Sequence, residues 1–484
     1  MSTSKEQTPF WQIALLYLVV AFALYWRVLG LSFFADDFSA VWRIGVQGDL
    51  SDHGFFRPLS ELSIWANHLL FGTDPVGYRV TNVIIHWCNA LCLAFLVRRT
   101  IQEKNDDLRN ASMFAGLLFL CYPFHNEGVV WIVGRGASLA TLFVLLALII
   151  SLSSMTDRWR ITWSSVAFFT GMLVYETAMT FSLIALPVLW LNGIRAKRLT
   201  SFATAWMGAL VLHFLIRAWA TEKVANSYGV DFFSQPFTNY FSNIPKVLGR
   251  LLIPPNADTN AMIVATVLVG LILVLVGWIY VRRTRDVRSE RINALAWSWM
   301  LIIACSVPLI TSVSTRTSES DRFLYMPSAF LCGLITIILF RILQGPFRWL
   351  LIAILLIASE CFLQQNNDNW IPASKTIGAI IANTPEPLPG EHIFIQGLPS
   401  DTCGAFIFRH GFVEALLMAG RDTSGIKQVD ILFAVPGTPP RTKVFSYAEL
   451  SDTMQMRSVD RVVRWNTGQF EYLTFPDEGG SSLP

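Results

Sequence analysis

Long apolar runs recur along this chain, and each is long enough to cross a bilayer core of about 30 Å as an α-helix. The runs are continuous and lack the strict apolar–polar alternation that the strands of a membrane barrel require. The pattern therefore predicts an all-α polytopic bundle of about eleven transmembrane helices. They lie near residues 11–31, 77–97, 111–124, 128–152, 161–177, 179–193, 202–219, 260–281, 294–313, 325–343 and 347–363.

The composition agrees with a membrane protein. Of the 484 residues, 53% are hydrophobic and only 15% are charged, whereas about a quarter of a soluble protein is charged. The net charge of +3 is too small to indicate a nucleic-acid partner. The first run ends in Trp26 and Arg27 without a small-residue cleavage site, so we interpret it as a retained anchor.

The basic residues predict the orientation of the bundle. Clusters of Arg and Lys follow the second, fourth, sixth, eighth and tenth predicted spans. With eleven spans and a cytoplasmic N-terminus, all of these clusters fall on the cytoplasmic side, as the positive-inside rule requires. The opposite, exoplasmic face then holds the loop 32–76, the turn at residues 125–127, the loop 314–324 and the tail after residue 363.

The sequence predicts two domains. Residues 1–363 form the membrane domain, and residues 364–484 mix short β-like runs with Pro and Gly turns such as Pro436-Gly437. We expect the tail to be a small α/β or β-rich exoplasmic domain. Cys403 is its single cysteine, so no disulfide within the tail is expected.

Two adjacent carboxylates, Asp36 and Asp37, follow the first span. Carboxylates are costly to desolvate beside a membrane, and packing alone gives no reason to place two there. One of them could act as a general base, or the pair could bind Mg²⁺ or Mn²⁺ through oxygen ligands. Asp36 and Asp37 are therefore the candidate catalytic residues and tentative metal ligands.

Further charged residues occur in the other exoplasmic loops. His125 and Glu127 lie in a short turn, and Arg135 follows about two helical turns later. At that depth Arg135 needs an anion or a water-filled cavity. A structural ion pair between Arg135 and Glu127 explains it equally well.

Four more candidates, Glu176, Asp321, Arg322 and Tyr325, come from later loops. Glu176 lies between two apolar runs and is either a pocket residue or a solvated carboxylate. Arg322 and Tyr325, next to Asp321, could bind a phosphate at the height of a lipid head group. Alternatively, Glu319 and Asp321 are the acidic residues that commonly precede the start of a helix.

Three ordered stretches then resemble a known family. "FRPLSELSIWANHLLFG…GYRVTNVIIHWCNAL", "YPFHNEGVVWIVGRGASLATLFVLLAL" and "ESDRFLYMPSAFLCGLI" are similar to stretches of the transmembrane-and-TPR O-mannosyltransferases. The acidic pair after the first span resembles the signature of the GT-C superfamily of polyprenyl-phosphate-sugar-dependent glycosyltransferases. The tail departs from that family, because it shows no 34-residue TPR period.

The resemblance implies an inverting hexosyltransferase with a lumenal or periplasmic site, a polyprenyl-phosphate sugar donor and a hydroxyl acceptor. One aspartate of the pair would be the base, and Arg322 would hold the donor phosphate. Arg57 and Arg135 would support it, and His125 and Glu127 would line the pocket. We favour the bacterial inner membrane as the location, with the active site and tail on its periplasmic side.

The main alternative from another class is a transporter or flippase of a lipid-linked or anionic substrate. Transporters place ionisable residues near the bilayer midplane and often contain internal repeats. In this sequence the charges cluster at one face, and no repeat is evident. A third interpretation is an inactive scaffold with a ligand-binding tail.

Overall fold

The computed structural model describes residues 10–50, 55–100, 106–221, 236–285, 287–429, 431–433, 441–443, 460–466 and 468–473. Its membrane domain is helical. The helices are α1 Phe10–Tyr25, α2 Asp36–Ala40, α3 Pro58–Phe71, α4 Pro75–Thr100, α5 Asp106–Leu120, α6 Asn126–Val129, α7 Arg135–Ser151, α8 Asp157–Val174, α9 Phe181–Leu191, α10 Ala196–Thr221, α11 Phe237–Arg250, α12 Thr259–Arg283, α13 Arg288–Ala304, α14 Ser306–Thr311, α15 Tyr325–Ile342 and α16 Gly345–Asn383.

The predicted multi-pass architecture is confirmed. Within the described residues, seven helices are long and apolar enough to cross a membrane, and three shorter helical segments are apolar as well. Each of the eleven predicted spans overlaps a helix, but the number that crosses the bilayer stays a prediction. Within the predicted loop 32–76, helix α3 buries Ile64 and exposes Leu69 and Leu70.

Helix α4 lies inside the bundle and packs against α5, α7 and α1. Four of its polar residues, Arg79, Asn82, His86 and Asn89, are separated by steps of three and four residues. They therefore lie on one face of the helix, and all four are buried. We call this set the polar stripe of α4. It faces the turn and the helices that build the candidate site.

Helix α16 connects the two domains without a break. It runs for 39 residues from Gly345 to Asn383, so the expected boundary at residue 363 falls inside a helix. At 1.5 Å per residue the helix is about 60 Å long, roughly twice the thickness of a bilayer core. The first twenty residues of the predicted tail are thus part of a rod that extends from the membrane domain.

The C-terminal domain has a small mixed sheet. Strands β1 Ile393–Gln396, β4 Ile426–Gln428 and β7 Arg461–Asn466 are parallel, and β8 Gln469–Tyr472 runs antiparallel to β7, in the order β4-β1-β7-β8. Two antiparallel pairs, β2 Asp401–Thr402 with β3 Ala405–Phe406 and β5 Ile431–Phe433 with β6 Arg441–Lys443, and a short helix, α17 Phe412–Met418, complete it. The predicted turn at Pro436-Gly437 and residues 444–459 lie outside the described residues.

The C-terminal domain packs directly on the loop that follows α1. The Ala35 N–H donates to the Ile407 carbonyl at 2.9 Å, and the rings of Phe38 and Phe408 lie 5.8 Å apart. At Gly411, whose φ is +83°, an added Cβ would lie 2.4 Å from the Ala35 oxygen. The close approach of these two segments therefore requires glycine at position 411.

Candidate functional site

The candidate site is built around the turn 126–134, which the polar stripe of α4 holds in place. Arg79 donates from Nε to the Val130 carbonyl at 3.0 Å, and Asn82 donates to the Val129 carbonyl at 3.0 Å. Arg79 also donates to the carbonyls of Leu31 and Ser32. One buried guanidinium therefore joins the turn to the loop before the acidic pair and satisfies backbone carbonyls that are buried away from water.

Asp37 joins the same two segments from the other side. Its carboxylate is fully buried and accepts from the N–H groups of Phe34 at 3.2 Å, Ile132 at 3.3 Å and Val133 at 2.9 Å. Burial raises the pKa of Asp37 to about 7, while these N–H groups and Arg79 oppose the shift. Both of its oxygens bind backbone, so the structure gives Asp37 a positioning role.

Asp36 has a different environment although it is the next residue. It lies at the start of α2 and is half-buried. Within the described residues, its carboxylate has no hydrogen-bond or ion-pair partner. The backbone before it is unusual, since Ala35 has a φ of +42°, a region that residues with a Cβ rarely occupy. Of the predicted catalytic pair, Asp36 is therefore the carboxylate that is free to contact a substrate.

Glu127 brings the loop 314–324 to the turn. This buried carboxylate accepts from the N–H groups of Ser320 at 2.9 Å and Arg322 at 3.0 Å, and it pairs with Arg322 Nη1 at 3.1 Å. Burial raises the pKa of Glu127, and Arg322 opposes the shift. The Arg322 side chain is still 25% exposed, so Glu127 orients a cation that can also bind a ligand.

A second cation lies beside Arg322. Arg57 pairs with Glu176 at 2.8 Å and stacks on the Tyr175 ring at 4.2 Å. Arg322 also contacts Tyr175, and the two guanidinium groups are near enough to repel each other electrostatically. The Arg57 side chain remains 24% exposed. Two partly exposed guanidinium groups, each paired with a glutamate, thus converge on one tyrosine.

Four predicted site residues have other roles, and Arg135 is the first. Arg135 is buried and donates to Asn82 at 2.7 Å, to the Ser63 carbonyl at 3.1 Å and to the Tyr78 carbonyl at 2.9 Å. The alternative ion pair between Arg135 and Glu127 was wrong too, since Glu127 pairs with Arg322. Arg135 instead joins α7 to α3 and α4, because a buried guanidinium needs several acceptors.

His125 and Tyr325 are core residues, which corrects their placement in the pocket. His125 bonds Ser328 at 2.7 Å and stacks on Tyr325 with ring centroids 4.4 Å apart. The Tyr325 hydroxyl bonds His86 at 2.7 Å. Asp321 is also fully buried and pairs with buried Arg250. These groups bond to one another inside the bundle, although His125 Nδ1 and Asp321 Oδ2 have no partner among the described residues. All of them are buried, so they do not form part of an exposed phosphate site.

Sequence reasoning missed Tyr175, Trp131 and Arg409. Tyr175 precedes the flagged Glu176, and Trp131 lies within the "HNEGVVW" turn, so their neighbours were a signal. The Arg322 guanidinium lies 5.3 Å from the Trp131 ring. Arg409 comes from the C-terminal domain and pairs with Glu319 at 2.7 Å. Nothing local in the sequence places position 409 next to position 319.

The expected Mg²⁺ or Mn²⁺ site stays a prediction. Mg²⁺ usually keeps several waters and binds one or two carboxylates together with substrate phosphates. Both oxygens of Asp37 accept backbone N–H groups, so Asp36 offers the free carboxylate of the pair. Within the part of the chain that the structure describes, no group of three His, Cys, Asp or Glu side chains could hold a metal ion.

Comparisons with curated proteins confirm the resemblance seen in the sequence. The chain is 33% identical over 189 residues to Protein O-mannosyl-transferase Tmtc1 of Drosophila melanogaster, which covers 34% of this chain and 21% of that protein. It is 37% identical over 114 residues to Protein O-mannosyl-transferase TMTC1 of Mus musculus, covering 24% and 11%. The chain thus spans about a fifth or less of these relatives. No family model matches.

The comparison with solved structures gives a weak likeness. ArnT from Cupriavidus metallidurans, crystallised with undecaprenyl phosphate, aligns over 93% of this chain and 92% of its own with 12% sequence identity and a TM-score of 0.49. This likeness is too weak to indicate a ligand here. The curated relatives are animal proteins, so the expected bacterial membrane stays a prediction, whereas the multi-pass membrane character follows from the helices themselves.

Proposed function

We propose that this protein is a GT-C-type membrane glycosyltransferase that moves a sugar from a polyprenyl-phosphate donor to a hydroxyl acceptor at the exoplasmic face. One observation carries the proposal. Asp36, a half-buried carboxylate without a partner among the described residues, lies on the loop that Asp37 joins to the turn 126–134. The same turn orients Arg322 through Glu127. The names of the curated relatives support transfer of a sugar.

The chemistry follows from these two kinds of group. The Asp36 carboxylate accepts the proton of the acceptor hydroxyl. At the same time the hydroxyl oxygen attacks the anomeric carbon from the face opposite the phosphate. The bond between that carbon and the phosphate oxygen breaks, and the electron pair leaves with the phosphate. Arg322 and Arg57 stabilise the charge that develops there. The displacement inverts the anomeric configuration and needs no metal in this scheme.

The two aspartates give a direct test. Asp36→Asn should lower the rate of sugar transfer by about 10²- to 10⁴-fold, since it removes the base, while the unfolding midpoint in detergent stays unchanged. Asp37→Asn should lower activity and stability together, because the new amide N–H would face the N–H groups that the carboxylate now accepts. The assay supplies purified protein with polyprenyl-phosphate sugars and follows release of polyprenyl phosphate.

The outcome also separates the enzyme from a transporter. Full activity of the Asp36→Asn variant would rule out Asp36 as the base. Binding of the donor lipid without its consumption, by wild-type protein supplied with a panel of hydroxyl acceptors, would favour transport of a lipid-linked substrate instead.

A further inference from the structure

Arg409 is a cation that the C-terminal domain places against the membrane domain. It follows β3 in the segment that packs on the loop after α1. Its Nη1 donates to Glu319 Oε1 at 2.7 Å, and its guanidinium lies 4.9 Å from the centre of the Phe406 ring. Glu319 belongs to the loop 314–324, which also holds Arg322. The contact therefore joins the C-terminal domain to the loop that contains Arg322.

The other edge of the Arg409 guanidinium has no hydrogen-bond acceptor among the described residues. Its Nε and Nη2 atoms are buried and have no hydrogen-bond partner within the described residues. These two N–H groups point the same way and match two oxygens of a phosphate or a carboxylate. Buried donors without partners cost about 1–3 kcal/mol each. Such an edge is explained by an acceptor that the described residues do not provide.

The neighbours of Arg409 connect it to the proposed phosphate site. The Phe406 ring beneath it lies 4.8 Å from the Trp131 ring, and Arg322 lies 5.3 Å from Trp131. Trp131 Nε1 is a third buried donor without a partner among the described residues. Two guanidinium groups from different domains thus lie next to the two rings of one aromatic pair.

We propose that Arg409 binds the phosphate of the lipid donor, so that the C-terminal domain completes the donor site. This inference rests on the proposed function. The donor phosphate fits better than a carboxylate of the acceptor, because a phosphate can accept from several guanidinium groups at once, and Arg322 lies against the other ring of the same aromatic pair. Arg409 then acts by direct contact as well as through its ion pair with Glu319.

Binding to the full-length protein in detergent tests the assignment. The probes are a polyprenyl phosphate and the polyprenol of equal length. Arg409→Gln should weaken binding of the phosphate about 10- to 100-fold and leave binding of the alcohol unchanged. Arg409→Lys keeps the charge but loses the paired edge, so it should recover only a small part of this loss. As a control, Arg316→Gln removes an exposed cation of the loop 314–324 and should change binding less than about twofold.

A double-mutant cycle with Glu319→Gln separates ligand contact from docking. If Arg409 binds the phosphate, adding Arg409→Gln to Glu319→Gln should weaken binding about tenfold further. No further loss would overturn the proposal, since Arg409 would then act only through Glu319. Unchanged lipid binding with a raised KM for the acceptor would also overturn it and indicate an acceptor carboxylate. Phosphate-selective binding through Arg409 without sugar transfer would support this inference and contradict the enzyme.

Discussion

Helices α4 and α12 are both apolar and about 25 residues long, yet they have opposite roles. In the most apolar part of α4, 56% of residues are buried inside the protein, against 6% in α12. The middle of α12, residues 267–279, is apolar, and side chains there such as Leu271 and Val274 are exposed. α4 buries the polar stripe Arg79, Asn82, His86 and Asn89.

The difference shows how a membrane helix is recognised as a scaffold. Lipid tails cannot satisfy polar groups, so a span with polar residues at steps of three and four must face other protein segments. In α4 these residues bind the turn 126–134, α7 and Tyr325. A span without them, such as α12, can form the outer wall of the bundle.

The largest expected effect comes from Arg79→Met. The change removes the donor to the carbonyls of Leu31, Ser32 and Val130 and leaves them buried without partners. We expect the free energy of unfolding in micelles to fall by about 3–5 kcal/mol and sugar transfer to be lost. A decrease below about 1 kcal/mol would mean that the stripe does not hold the site.

Asn82→Leu should have the next largest effect. It removes the acceptor for Arg135 at 2.7 Å and the donor to Val129 at 3.0 Å, at a cost of about 2–3 kcal/mol in unfolding free energy. Asn82→Asp is the matched control, because it keeps the acceptor for Arg135 and should cost less. Equal losses in the two variants would assign no importance to the contact with Arg135.

Acidification should act on Asp37, which holds the turn 126–134 together with the polar stripe of α4. The pKa of Asp37 is raised to about 7, so its carboxylate gains a proton as the pH falls through that value. A protonated oxygen no longer accepts two backbone N–H groups, and we expect the rate of transfer to fall as the pH is lowered from 8 to 6. The measurement is kcat/KM against pH, and a flat profile over this range contradicts the assignment.

The smallest effect is expected on α12. Leu271 is 63% exposed, and Leu271→Ala should change the free energy of unfolding by less than about 0.5 kcal/mol. The matched change Leu93→Ala removes a fully buried side chain of α4 and should cost about 2–5 kcal/mol. Similar values for both variants would erase the contrast between the two helices.

The sequence predicts the helices well because apolar runs are a local signal. It also identified Glu127, Arg57 and Arg322, which the structure connects to one another or to Tyr175. The role of Asp36 stays a prediction. The polar stripe of α4 was readable from its spacing but was not recognised.

The rest depended on tertiary contacts. Charge alone could not separate Asp36 from Asp37, because the difference lies in the backbone N–H groups of residues 132 and 133. Arg135 and Asp321 resemble ligand-binding residues in the sequence but are paired inside the bundle. The contact of Arg409 with Glu319 crosses 90 residues of chain, a distance over which no local pattern informs.

The uninterrupted α16 rod has a mechanical consequence. A helix rotates by about 100° and advances 1.5 Å for every residue, so its length fixes both the azimuth and the height of the C-terminal domain above the bilayer. Inserting a single residue between positions 363 and 383 would swing the domain away from the Ala35 loop. Adding about seven residues, nearly two full turns, would restore its heading but lift it by about 10 Å. The contact between the C-terminal domain and the Ala35 loop is therefore set by the number of residues in one helix.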